Sequence, residues 1–371
     1  MSWNELVVLS HLRWPFVWQR PHHLISRLAA DQPTYFVEEP VYTGVREPVL
    51  RCNDYGLVTQ VWLEVPGPDR HLNFDDPAAA SYTEHLLSLL GWSPRRAVWV
   101  YTPLALDIAR ALEPEFLVYD VMDDLASFKD APAALQAKQD EALIEADVVF
   151  AGGRSLHRGI IDRRPDAHLF PSGVESEHFL PARANRTPRQ RPTAGFVGVI
   201  DERIDLNLLA GLADALPDWD IEVVGPVAKI DAAALPQAPN LRYPGPCPYQ
   251  KLPEVMARFD VALMPFALNE ATRAISPTKT LEYFAAGLPV VSTSVPDVVA
   301  DYGDVVAIAD DVAGFADACR QALAEDPTEL DRRVWPTLRR QHWDAIAGRM
   351  AALMQSATVA TVATVAIEET A

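Results

Sequence analysis

The stretch SPTKTLEYFAAGLPVVST, residues 276–293, decides how this chain is read. Its second half is a small-residue turn at Ala285, Ala286 and Gly287, then a Val-rich run with the composition of a buried strand. Its first half places Lys279 and Glu282 in a segment otherwise apolar enough for a core. Ser276 suits a helix N-cap, Pro277 the first helical position and Gly287 the residue after the last. The spacing therefore predicts a short helix over about 277–286. On it Lys279, Glu282 and Ala286 share one face by the i, i+3, i+7 rule. That face has two readings. One is a solvated salt bridge; the other is a ligand site, because a helix that starts beyond a parallel strand offers backbone N–H groups to a phosphate. Lys279 then adds a formal charge, and Glu282 can accept hydrogen bonds from a vicinal diol such as a ribose.

The rest of the composition narrows the choice. At 371 residues with 49% apolar content, the chain can build two domains, each with its own core. A formal net charge of -19 argues against nucleic acid as a partner, since phosphate backbones need a basic field. Cys52, Cys247 and Cys319 lie far apart with no C-x-x-C, which suits a reducing cytoplasm and gives neither a disulfide framework nor a zinc site. The opening MSWNELVVLSHLRW has no basic n-region before a long apolar core, so it is not read as a signal peptide. No apolar run approaches the roughly 20 residues that span a bilayer.

Short apolar runs alternate with helical patterns, as in an α/β chain with parallel sheets. Strands are expected at 6–10, 34–39, 97–102, 116–121 and 147–152, and again at 193–199, 220–226, 240–246, 261–266 and 289–294. Helical periodicity lies between them at 22–29, 206–216 and 251–259. Between the two strand sets, residues 168–193 are rich in Pro, Arg and polar residues and read as a linker or loop. Arg183, Arg186, Arg189 and Arg191 sit there without an acid among them. They are a solvated loop or a basic patch for peripheral, salt-sensitive contact with an anionic membrane. The end, SATVATVATVAIEETA, is low in complexity and is expected to be a disordered tail from 356 to 371, after a helix that finishes near Met354.

Residues 240–293 resemble the donor-binding half of GT-B glycosyltransferases, family 4 type, which includes teichuronic-acid-like and other bacterial cell-surface polysaccharide transferases. SHLRWPFVWQRPHHLISRLA resembles that group's first strand and helix, and LVYDVMDDLASF a late N-domain strand with its acidic loop. FPSGVESEHF is similar to its interdomain Pro-Asn-Gly-Val segment, with Ser172 for Asn, and QHWDAIAGRM to its Trp-containing crossover helix. The resemblance implies two Rossmann-like domains with parallel sheets facing across a cleft: 1–172 on the acceptor side, 173–340 on the nucleotide-sugar side, and a helix at 341–355 crossing back. It implies transfer of a hexosyl group, with retention, from a nucleoside-diphosphate sugar to a hydroxyl of a glycan or lipid-linked acceptor. It also implies that no metal or other cofactor is required.

By the same resemblance Glu282 binds the ribose. Lys279, with Pro277 and Thr278 beside it, meets the diphosphate. The family's first Glu falls on Ala274, and Asn269, Glu270 and Thr272 are candidates to hold the sugar instead. The family often has Arg after the turn glycine; Val199 stands there, leaving Arg203 as the remaining diphosphate cation. In the first half, Arg20, His22 and His23 open a helix beyond the first strand and are candidates for acceptor or phosphate contact. Asp123 and Asp124 follow a strand and could deprotonate an acceptor hydroxyl. Trp14, Trp18, Trp92 and Trp99 could form a sugar-stacking surface, but most are read as core or interdomain packing. Two alternatives remain: a nucleotide-sugar epimerase on the same fold, and a non-catalytic protein that binds nucleotide only.

Overall fold

The computed structural model describes residues 3–16, 18–127, 131–187, 189–273, 275 and 278–368. It divides into two compact units. The first comprises Met1–Gly152, Leu156–Phe170 and Asp344–Ala371; the second comprises Gly153–Ser155 and Pro171–Trp343.

The strands of the first unit are β1 (Glu5–Ser10), β2 (Thr34–Glu38), β3 (Val41–Thr43), β4 (Val49–Asp54), β5 (Val58–Pro66), β6 (Arg70–His71), β7 (Arg96–Val100), β8 (Phe116–Val121), β9 (Val148–Ala151) and β10 (His168–Leu169). Between them run α1 (Arg20–Leu28), α2 (Tyr82–Leu90), α3 (Leu106–Ala111), α4 (Leu135–Glu145) and α5 (Arg154–Ile160). The sheet order is β10-β9-β8-β7-β1-β2-β5-β3-β6, and the seven strands from β10 to β5 are mutually parallel. All six residues of β1 are buried, as expected of a central strand covered on both faces. β3, β4, β5 and β6 all fall outside the expected strands, β5 although it extends the parallel sheet beside β2. β4 pairs antiparallel with β5 as an exposed edge carrying Arg51, Cys52, Asn53 and Asp54, a polar run with no strand signature.

The second unit holds β11 (Thr193–Val197), β12 (Asp220–Val224), β13 (Leu241–Gly245), β14 (Val261–Met264), β15 (Val290–Ser292) and β16 (Ala307–Ile308). Its helices are α6 (Ser176–Ala184), α7 (Leu206–Ala215), α8 (Leu252–Met256), α9 (Lys279–Ala285), α10 (Pro296–Tyr302), α11 (Val312–Leu323) and α12 (Pro327–Arg340). The sheet order β13-β12-β11-β14-β15-β16 is fully parallel, the dinucleotide-fold order whose direction reverses between its first and fourth strands. One hydrophobic core, from Val174 to Leu338, packs both faces of this sheet.

Two expectations fail here. The segment 168–193 is not merely a linker. It contains β10 and α6, whose Phe179 and Ala182 are fully buried in the second core although Pro181 reads as a helix breaker. Nor is the described part of the expected tail, 356–368, disordered: α13 runs Trp343–Glu368 through the A-T-V repeats, and 369–371 lie outside the described residues. An established helix extends at little cost per residue, and after Gly348 this segment has neither Gly nor Pro to stop it.

Candidate functional site

In the second unit the topological switch lies between β11 and β14, and ligands of such sheets sit beyond the carboxyl ends of those strands. The two chain segments leaving β11 and β14 there are the loop from Gly198 and the loop leading to α9. At Gly198 the backbones crowd: a Cβ on Gly225 would lie 1.8 Å from the Gly198 carbonyl oxygen. A Cβ on Gly198 itself would lie 2.2 Å from Lys279 Cε. The Lys279 side chain therefore rests directly on the turn that ends β11.

Helix α9 is held in place by its buried face. Val197 N–H donates to the Tyr283 hydroxyl at 2.8 Å, tying α9 to the end of β11. The Thr280 hydroxyl meets Met264 Sδ at 3.4 Å, tying it to β14, while Leu281, Phe284 and Ala285 fill the core. The other face presents Lys279 and Glu282, both half-buried. Among the described residues neither forms an ion pair or a side-chain hydrogen bond; the Lys279 ammonium lies 6.0 Å from the Phe196 ring centroid. The i, i+3 salt bridge that the sequence allowed is absent from these described contacts. Removal from water holds the Lys279 ammonium below the usual lysine range; Glu282 and Asp201 pull it back up, and Arg203 pushes it further down. Burial likewise pushes the Glu282 carboxyl up, with Lys279 opposing. A cation and a carboxylate kept apart at the switch point, each at a desolvation cost, are suited to a ligand that brings its own anion and its own hydroxyls.

The helix is shorter than the expected 277–286. Thr278 is its N-cap, in helical geometry and without a side-chain cap hydrogen bond; Gly287 follows the end at φ +68° as expected. Ser276, Pro277 and Ala274 lie outside the described residues. With seven residues in α9, the positive charge at this site resides on Lys279 rather than on a long helix dipole.

The C-terminal end of α9 explains the basic segment. Arg183 donates to the carbonyls of Ala285 (2.8 Å) and Phe284 (2.7 Å), pairs with Asp331, and lies 5.5 Å from the Trp335 ring centroid. Arg186 donates to the carbonyls of Gly287 (2.9 Å) and Ala286 (2.8 Å). Arg191 donates to the Trp219 carbonyl at 3.0 Å and to that of Pro217 at 2.5 Å. Of the four arginines considered for a membrane patch, Arg183 and Arg186 are thus turned inward to backbone carbonyls, Arg191 bonds such carbonyls while staying exposed, and Arg189 is exposed with no such bond among the described residues.

Arg203 stands where expected, after the β11 turn, but its guanidinium is held by Asp201. Nη2 donates to Oδ2 at 2.7 Å and Nε to Oδ1 at 3.0 Å. Asn269 and Thr272 close a capping box on each other around residues 270–272 (Thr272 N–H to Asn269 Oδ1 3.1 Å, Asn269 N–H to Thr272 Oγ1 3.0 Å). Asn269 Nδ2 also donates to the Glu202 carbonyl at 2.9 Å. Glu270 is exposed and pairs with Arg273 at 3.0 Å. These side chains shape the loop after β14, and their polar groups are largely occupied in doing so.

In the first unit, Arg20 and His22, the candidates for acceptor or phosphate contact, are buried and engaged by partners of the fold itself. Arg20 is 4% exposed, grips the fully buried Asp120 with two bonds of 3.0 Å, and donates to the Phe170 carbonyl at 2.7 Å. Burial pushes the Asp120 carboxyl up, and Arg20 opposes it. His22 Nδ1 accepts from the Gln19 N–H at 3.0 Å, and its Nε2 lies 2.9 Å from the Trp14 carbonyl. One nitrogen accepts and the other faces an acceptor, so the ring is the neutral Nε2–H tautomer. Burial holds its pKa below 6.5 accordingly. His23 is buried beside Trp18, whose Nε1–H lies 3.3 Å from its Nδ1. Asp123 and Asp124 are half-buried just beyond the carboxyl end of β8.

Comparison with known proteins bears on this geometry. Residues 191–325 match the family described as glycosyl transferases group 1. The matched stretch lies within the second unit. A Bacillus subtilis (strain 168) protein, TuaH, named for a role as a teichuronic acid biosynthesis glycosyltransferase, is 27% identical over 217 residues. That match covers 54% of this chain and 55% of the relative, so the chain spans about half the length of the curated relative it matches. Among solved structures, sucrose-phosphate synthase from Thermosynechococcus elongatus superposes with a TM-score of 0.71 at 15% identity, covering 96% of this chain and 100% of that one. A trehalose-6-phosphate protein from E. coli, bound with UDP-2-fluoro glucose, gives 0.70 at 14% identity, covering 94% and 98%. The α,α-trehalose-phosphate synthase (UDP-forming) from Burkholderia vietnamiensis gives 0.68 at 16% identity, covering 96% and 99%. The fold is GT-B.

Within the second unit, the sequence reading singled out Lys279 and Glu282 but not Asp201, Tyr283 or the carbonyl contacts of Arg183 and Arg186. Asp201 alone left a signal, as the carboxylate two residues before Arg203. The others act on partners 86 to 102 residues away, beyond any local pattern.

Proposed function

We propose that this chain is a glycosyltransferase that moves a hexosyl group from a nucleoside-diphosphate sugar to a hydroxyl of a glycan or lipid-linked acceptor. The observation that carries the reading is the couple Lys279 and Glu282, unpaired among the described residues and presented on the face of α9 opposite its anchored one, within the stretch that matches the group 1 family. Glu282 accepts hydrogen bonds from the ribose diol. Lys279 neutralises the diphosphate as the bond from the anomeric carbon to its oxygen breaks, when negative charge on the leaving group grows. The acceptor oxygen forms the new bond to the anomeric carbon as the bond to the diphosphate oxygen breaks, and its proton leaves with the released diphosphate. Transfer proceeds with retention and without a metal, since Lys279 supplies the charge that a cation would otherwise bring. The relative named for teichuronic acid biosynthesis supports an acceptor in cell-surface polysaccharide synthesis. Three free cysteines support a cytoplasmic setting.

The test is a panel of UDP-, GDP-, ADP- and dTDP-sugars, scored first for protection against thermal unfolding and then for release of nucleoside diphosphate with candidate acceptors. One nucleotide class should protect, in the presence of EDTA as well as Mg²⁺, and release should depend on acceptor. Turnover of donor with no acceptor would support an epimerase instead. Protection without any turnover would support a non-catalytic binder, and protection lost in EDTA would contradict the metal-free chemistry.

A further inference from the structure

The carboxylate of Asp201 is an unusual neighbour for a site that has to receive a diphosphate. Asp201 is 3% exposed, in the loop that follows the Gly198 turn. It accepts the Arg203 backbone N–H at 3.0 Å and the same residue's guanidinium at 3.0 and 2.7 Å, so both its oxygens are occupied. The loop is anchored on either side. Ile200 N–H donates to the Pro226 carbonyl at 2.9 Å, and Ala267 N–H donates to the Arg203 carbonyl at 2.8 Å. The clamp is thus built into the rim formed by the loops after β11, β12 and β14.

We propose that Asp201 is a positioning residue of the donor site: it fixes Arg203 at the rim and balances its charge, leaving the Lys279 ammonium as the cation that meets the diphosphate. The inference rests on the transferase reading of the same site. Without Asp201, the Arg203 guanidinium would stand unbalanced in the loop that follows the Gly198 turn, on which the Lys279 side chain rests, and its charge would oppose the protonation of Lys279. The charged groups that act on Lys279 are Glu282 from its own helix and Asp201 and Arg203 from the β11 loop; the β11 face contributes the Phe196 ring and Gly198. Asp201 and Glu282 favour the ammonium, and Arg203 opposes it. Asp201 therefore serves Lys279 twice, by its own charge and by cancelling that of Arg203.

The experiment measures binding of UDP and GDP by calorimetry from pH 6 to 10, on the full chain and on Asp201→Asn, Asp201→Ser and the double variant Asp201→Asn/Arg203→Gln. Both single substitutions keep an acceptor for the Arg203 N–H, so the turn is retained. In the single variants the alkaline loss of nucleotide binding should begin at lower pH than in the parent, with affinity near pH 9 about tenfold weaker relative to the parent than at pH 7. The double variant, which removes both opposing charges, should move the loss back toward the parent's pH. A merely structural Asp201 would lower the melting temperature and weaken binding equally at every pH, and that result overturns the proposal. An unmoved alkaline limb in whichever single variant folds also overturns it. If the parent binds neither nucleotide, the site reading itself has failed, which is a different outcome from a bound parent with an unmoved limb.

Discussion

Arg183→Ala separates a fixed structural role from a solvated basic segment. The side chain is 21% exposed and makes two bonds to α9 carbonyls, a pair with Asp331 and a stacking contact with Trp335. Hydrogen bonds from a charged donor are each worth about 1.5–3 kcal/mol, but the carbonyls freed at a helix end can recover water, so the low end applies to each. The Asp331 pair, at the surface, adds under about 1 kcal/mol, and the ring contact about 0.5–1 kcal/mol. A loss of about 3.5–5 kcal/mol is expected, or roughly 7–20 °C in melting temperature for a domain of this size. Arg189→Ala, at the exposed arginine of the same run, should cost less than about 0.5 kcal/mol. Urea unfolding monitored by tryptophan fluorescence reads both. If Arg183→Ala and Arg189→Ala unfold at the same urea concentration as the parent, the cap is not contributing, and the segment is the solvated stretch that its composition suggests.

Two further outcomes follow from contacts at the two ends of the account. Gly198→Ala places a methyl 2.2 Å from Lys279 Cε, so the lysine has to retreat by about 1.3 Å to reach an ordinary separation of roughly 3.5 Å. Turnover should fall about 100-fold, from misplacement of the ammonium, with a stability loss of about 1–3 kcal/mol; turnover near the parent's would refute the placement of Lys279. His22, held neutral with its pKa below 6.5, binds fewer protons folded than unfolded on the acid side. Its contribution is therefore present above pH 6.5 and is lost as the pH falls through the lower, folded value. His22→Gln should flatten the dependence of the melting temperature between pH 7.5 and 5, and an unchanged slope would contradict the buried neutral tautomer.

Much of the fold was legible because buried parallel strands leave dense apolar runs: VALMPF and FLVYDV locate β14 and β8 without help from distant residues. β10 and β16, two residues each, are too short to leave such a signal. α6 was hidden by Pro181, and the β4 edge by its polar face. The shared face of Lys279 and Glu282 was legible from local spacing, and the structure places both on the half-buried face of α9. The site was misread where a charged side chain is consumed by remote partners. Arg20 looks like a helix-start cation until Asp120, a hundred residues on, is placed against it. Arg183 and Arg186 look like a basic surface until the end of α9 is placed against them.

The most direct test of the central claim is nucleotide affinity and turnover in Glu282→Ala and Lys279→Ala, with folding verified by thermal melts. If Glu282 holds a ribose diol, Glu282→Ala should weaken binding of the preferred nucleoside diphosphate by about 1.5–3 kcal/mol. Lys279→Ala should lower turnover more than donor affinity, since the charge it meets grows in the transition state. Two folded variants that bind nucleotide and transfer sugar like the parent would contradict the account and return Lys279 and Glu282 to an ordinary helix surface.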